Sequence, residues 1–185
     1  IFYEHQLKKV MSFQYEYRET YYCTYTIQDW KHLLENEGCK QIISDAFNYF
    51  VSKKYCYILS FVIMSKHLHF VTQLIPPFNL EDLNFKFRSF TGKELLKWIK
   101  IHDPDESNKY ISNRIDRKFH IWKQKPLCVE IVSQKFMDQK TDYIHMNPVY
   151  ANLVDDPILY EWSSASFYET EYSGRFKFLE AHDDF

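Results

Sequence analysis

Phe61 to Leu74 reads FVIMSKHLHFVTQL, an apolar run interrupted by the polar pair Ser65-Lys66 and carrying two histidines one residue apart. Its β-branched and aromatic content predicts a buried strand over Tyr55–Ile63, a tight connection at Ser65-Lys66, and a second strand over His67–Leu74 that Pro76 and Pro77 stop. Because side chains alternate faces along a strand, His67 and His69 point one way while Leu68 points the other. Two imidazoles converging on one face are either half-exposed polar residues or a pair of metal ligands.

Outward from this hairpin, the pattern alternates strand and helix. Tyr21–Ile27, YYCTYTI, reads as a first strand, and Ile42, Ile43, Ala46, Phe47, Phe50 and Val51 form the apolar stripe of an amphipathic helix over Cys39–Lys54. Asn79 is an N-cap for a helix opening at Leu80, with Glu81 and Asp82 in its first turn, and Thr91-Gly92 is expected to kink or interrupt that helix. The polar stretch Asp103–Arg117 reads as a loop and Leu127–Val132 as a short strand. Ser133 caps a helix from Gln134 that is expected to end near Asn147, since Pro148 disfavours helical geometry at the residue before it. This order predicts an α+β sandwich, an antiparallel sheet with the histidine strand near its centre and helices packed against it.

At 185 residues the chain fits one domain over 1–185, with a peripheral acidic tail expected from about residue 169. With 3 Gly and 6 Pro it is not linker-rich, and no apolar run is long enough to span a bilayer, so the expectation is a soluble, cytoplasmic protein without a membrane partner. Cys23, Cys39, Cys56 and Cys128 lack CxxC spacing and lie mostly among apolar residues, which argues against a zinc site or a disulfide framework and reads as reduced thiols. Net charge is −2, but its distribution is uneven: 8 basic against 9 acidic residues over 1–85, 13 against 7 over 86–140, and 2 against 9 over 141–185. The middle of the chain is a basic belt, and local field decides where a polyanion docks. Lys86, Arg88, Lys93 and Lys97 on the second helix, with Lys118 and Lys123 flanking Trp122, are the candidate DNA contacts: cations for phosphates, an aromatic for bases. Each of these cations also reads as a solvated face, and Trp122 equally as core.

About seventy residues after the histidines comes TDYIHMNPVYANLV, Thr141 to Val154, and WSS follows at Trp162 to Ser164. These motifs, in this order and with Trp122 between them, resemble the single-tyrosine HUH transposases, most closely their REP-associated branch, over about Tyr21 to Tyr168. The resemblance implies a ferredoxin-like core, His67 and His69 as metal ligands, and Tyr143 as the nucleophile. It further implies cleavage of single-stranded or hairpin DNA through a 5′-phosphotyrosine intermediate, by a monomer or homodimer.

A phenol, with a reference pKa of about 10, is mostly protonated at neutral pH, so a tyrosine nucleophile needs help from its surroundings. Mg²⁺ or Mn²⁺ between His67 and His69 would supply it by polarising the scissile phosphate. Asn147, four residues beyond Tyr143 on the same helical face, either supplies a third, amide ligand where the family has one or simply ends the helix before Pro148. His145 should face elsewhere on the helix. One departure stands out: the family usually has Pro-Asn before the first histidine, and this chain has Ser65-Lys66, a positive charge beside the proposed cation site. A catalytically impaired protein that binds structured DNA is therefore the alternative.

Overall fold

The computed structural model describes residues 19–112, 119–170 and 174–182. Four strands, β1 (Thr20–Thr26), β2 (Cys56–Ile63), β3 (His67–Leu74) and β4 (Leu127–Glu130), form one sheet in the order β2-β3-β1-β4, with every neighbouring pair antiparallel. Between them run α1 (Glu37–Ser52) and α2 (Leu80–His102), giving the βαββαβ arrangement of a ferredoxin-like sandwich. The histidine strand occupies an interior position, as its apolar neighbours predict.

Strand alternation divides the core in two. Cys23 and Tyr25 of β1 and Leu68, Phe70 and Leu74 of β3 face α1 and α2, where Phe47, Phe50, Leu83, Phe87 and Leu95 complete the larger core. The opposite face carries Tyr22, Leu59, Val62 and Val71, packed with Met137 and Ile144 of α4 (Gln134–Tyr150). A register shift between Ile58 and Ser60 lets both Ile58 and, beyond it, Phe61 and Ile63 reach the larger core. The histidines belong by alternation to the second, thinner face.

Three local expectations are corrected. α2 passes through Thr91-Gly92 as one helix. Thr91 Oγ1 donates to the Phe87 carbonyl and accepts the Trp122 indole N–H at 3.0 Å, so packing outweighs the ~1 kcal/mol that glycine costs a helix. Asp103 caps a short helix, α3 (Pro104–Asn108), within the expected loop, because proline fits the first helical turn. α4 continues past Asn147 to Tyr150: Pro148 forfeits only one late hydrogen bond, while Ile144 and Pro148 stay buried. The helix closes instead at Asn152, whose φ of 53° is left-handed, with Leu153 N donating to the Pro148 carbonyl.

The C-terminal segment is also corrected. Phe176, Phe178 and Leu179 are buried in the larger core, with Phe176 edge-on to Phe61 at 4.8 Å and Phe178 5.6 Å from Phe47, so residues beyond 169 are not merely peripheral. Trp162–Ser164 lies along the outer edge of β2: Ile63 N donates to the Trp162 carbonyl and Ser164 N to the Phe61 carbonyl. All four cysteines are free, and Cys23 faces Cys128 across β1 and β4. Among the described residues no helix is long and apolar enough to cross a membrane.

Candidate active site

His67 and His69 lie side by side on the thin face, ring centroids 4.6 Å apart. The neighbouring strand holds His69 from behind. Because Thr24 pairs with His69 in register, Thr24 Oγ1 comes within 2.7 Å of His69 Nδ1, and the Tyr22 hydroxyl, on the same face of β1, within 2.9 Å. The tautomer that carries its proton on Nδ1, facing these oxygens, leaves the lone pair of Nε2 free, and Nε2 is buried without a hydrogen-bond partner. His67 Nδ1 is likewise buried and unpartnered. Burial first, then the neighbouring His67 and Lys140, push the His69 pKa down to about 3, and burial lowers that of His67, so both imidazoles are neutral.

From the other side, α4 brings two of the predicted residues to this pair. The Tyr143 ring stands 5.3 Å from the His69 ring, inclined at 69°, and is 41% exposed, so its hydroxyl-bearing ring borders both the histidines and solvent. One helical turn on, Asn147 is buried, and its amide acts on the His67 imidazole, opposing in part the lowering of the His67 pKa by burial. The i, i+4 spacing therefore places Tyr143 on His69 and Asn147 on His67. His145 points away, its Nε2 2.8 Å from Ser164 Oγ, a hydroxyl that also accepts the Phe61 backbone N–H. The serine of the WSS motif thus ties α4 to β2 beneath the site.

Two neutral imidazoles with free buried nitrogens and an adjacent amide form a donor set suited to a divalent cation. Among the described residues no cluster of three or more His, Cys, Asp or Glu would hold a metal, and Asn147 is the amide that stands beside the histidine pair. Lys66 sits in the turn before strand alternation begins, and its charge contributes to lowering the His67 pKa.

Sequence patterning alone does not reveal Tyr22, whose ring lies 6.3 Å from Tyr143 and 5.7 Å from His69. Burial raises its pKa to about 12, which keeps the phenol protonated and suits it to hydrogen bonding rather than attack. Lys140 covers its ring at 4.8 Å. Only the strand register could have exposed Tyr22, through its place two residues from Thr24.

The basic belt is dispersed by the fold. α2 packs on the face of the sheet opposite the histidines, so Lys86, Arg88, Lys93 and Lys97 lie away from them. Lys86 pairs with Asp82 at 3.0 Å and Lys97 with Glu94 at 3.8 Å, while Arg88 donates to the carbonyls of Lys123 and Gln124. Arg88 and Lys93 do share a cleft with Phe119 and Trp122. Trp122 is 3% exposed, a core ring with its N–H satisfied, so it is not a stacking surface. Lys118 lies outside the described residues. Among the described members of the set Lys123 approaches the histidines, its ammonium 5.7 Å over the ring of Trp30, which in turn meets His67 at 6.1 Å.

Fold and site together define an α+β sandwich with a histidine pair on the thinner sheet face and a tyrosine carried by the helix that covers it. A REP-associated tyrosine transposase, solved bound to a REP hairpin, has the same fold: TM-score 0.57 at 17% identity, covering 80% of this chain and 77% of that one. A protein of Deinococcus radiodurans R1 described as a transposase gives a TM-score of 0.48 at 10% identity, over 76% of this chain and 95% of that one. No family model and no curated protein matches the chain.

Proposed function

We propose that this chain is a metal-dependent, single-tyrosine DNA strand transferase of the REP-associated transposase type, acting on single-stranded or hairpin DNA. The observation that carries the reading is the meeting of Tyr143 with His69 and of Asn147 with His67, one helix delivering a nucleophile and an amide to a pair of neutral imidazoles. The shared fold supports it, as that relative is described with a REP hairpin bound.

His67, His69 and Asn147 would hold Mg²⁺ or Mn²⁺, which supplies Lewis-acid polarisation of a phosphate oxygen. The Tyr143 oxygen attacks the phosphorus, forming a phosphotyrosine linkage to the 5′ side as the bond to the 3′ oxygen breaks. The phenol loses a proton and the departing 3′ oxygen gains one, and because one phosphodiester replaces another the step needs no nucleoside triphosphate. The reverse attack by a 3′-hydroxyl rejoins strands. Tyr22 and Thr24 keep the His69 ring oriented, and the buried Ser164–His145 contact fixes the helix that carries the nucleophile.

The charge of Lys66 beside His67 favours a second reading, a structured-DNA-binding protein with impaired catalysis. Incubation with hairpin DNA bearing single-stranded flanks, with and without Mn²⁺, separates the two. Metal-dependent cleavage lost in Tyr143→Phe supports the transferase. Binding without cleavage leaves the binding protein, and cleavage that survives Tyr143→Phe assigns the attack to water.

A further inference from the structure

Beside His67 the backbone does something costly. Asp29 and Trp30 both adopt left-handed conformations, each with φ of 56°, which non-glycine residues rarely enter and bulky ones least of all. The result is not burial: Trp30 is 54% exposed, whereas most of the other described aromatic rings are buried or partly buried. Its edge meets the His67 ring at 6.1 Å and 78°, so the indole stands at the rim of the candidate metal site.

The turn is also held firmly. Ile27 N donates to the Lys66 carbonyl at 2.8 Å, fixing it to the start of the histidine strand, and Gln28 N donates to the Ile121 carbonyl at 2.7 Å. Lys31 pairs with Asp29 at 2.9 Å within the turn itself. Lys123 N donates to the Thr26 carbonyl, and its ammonium stands 5.7 Å over the indole. A solvent-exposed indole with a cation over one face, held next to the candidate phosphate-handling site, has the composition of a single-strand platform: its other π-face for a base and the cation for a phosphate.

We propose that Trp30, with Lys123, stacks an unpaired base next to the scissile phosphate and so positions single-stranded DNA against His67 and Tyr143. This rests on the DNA-strand-transferase reading and names the part of the substrate that the site grips. A double-stranded stem offers no free base face there, so the platform distinguishes single-stranded flanks from paired stems.

The test uses the full chain carrying Tyr143→Phe, in EDTA, so that no strand is cut. Two probes are compared, a blunt DNA hairpin and the same hairpin with a single-stranded extension that carries 2-aminopurine at successive positions. The background protein should bind the extended probe at least tenfold more tightly than Trp30→Ala does, the two should bind the blunt hairpin equally, and Trp30→Tyr should recover most of the difference. 2-Aminopurine emission at one or two adjacent positions should be quenched by the background protein and released by Trp30→Ala, with unchanged circular dichroism. Equal affinity for the extended probe and unaltered quenching in Trp30→Ala would overturn the platform; if the wild-type chain still forms its metal-dependent adduct, the transferase reading stands without it. A wild-type chain that binds neither probe and forms no adduct would overturn both.

Discussion

His69 shows how much of the site rests on a neighbour that carries no chemistry of its own. Its outer nitrogen is free because its inner one is engaged by Tyr22 and Thr24, so the imidazole keeps one orientation without a metal. Tyr22→Phe removes one of two hydrogen-bond partners and leaves the ring stack, so it should weaken Mn²⁺ affinity about tenfold while adduct formation at saturating Mn²⁺ persists. Isothermal titration of Mn²⁺ against wild-type and variant protein measures this, and an unchanged affinity would show that Thr24 alone suffices. The same residues mark the limit of sequence reading. The His-x-His pair and Tyr143 are legible as local patterns, and Asn147 follows from helical spacing. Tyr22 is not legible, because strand pairing is a long-range fact, and neither is Trp30, whose strained turn leaves no periodic signature.

At the level of elements, β3 was legible to its ends because alternation, apolar content and Pro76 all agree. The helices were legible in position and less so in continuity. Gly92 suggests a break, yet α2 runs on as one helix, held by a face of buried side chains and by Trp122 on Thr91. Gly38 near the start of α1 meets a stricter demand: a Cβ there would fall 2.5 Å from the Trp98 indole nitrogen, on a ring stacked against His102 at 4.1 Å. Gly38→Ala should therefore cost ~1 kcal/mol net, overpacking outweighing the gain in helix propensity. Urea unfolding of the two proteins tests it, and a stabilised variant would mean that α1 and α2 are free to separate.

Across the whole molecule, the charge pattern was legible and its placement was not, since the fold sends the α2 cations to the face opposite the histidines and leaves Lys123 and Lys140 near the site. Burial of titratable groups has a global consequence. His145 and His69 are held neutral, their pKa values lowered to about 3, whereas an unfolded chain takes up these protons near pH 6.5. The unfolded state then binds more protons than the folded state over this window. Stability is fully present above about pH 6.5 and falls as pH drops toward 3, by ~1.4 kcal/mol per pH unit for each histidine. Urea midpoints in EDTA should accordingly be lower at pH 5 than at pH 7.5, and equal midpoints would contradict the buried, neutral state of these rings.

Attack by the Tyr143 oxygen on DNA is the central claim, and the covalent bond itself is its most direct test. Wild-type protein incubated with a hairpin DNA carrying single-stranded flanks and Mn²⁺, then digested and analysed by mass spectrometry, should yield one nucleotide-bearing peptide with the modification on Tyr143. A metal-dependent cleavage reaction with no modified tyrosine, or with the nucleotide on Tyr22, would contradict the account.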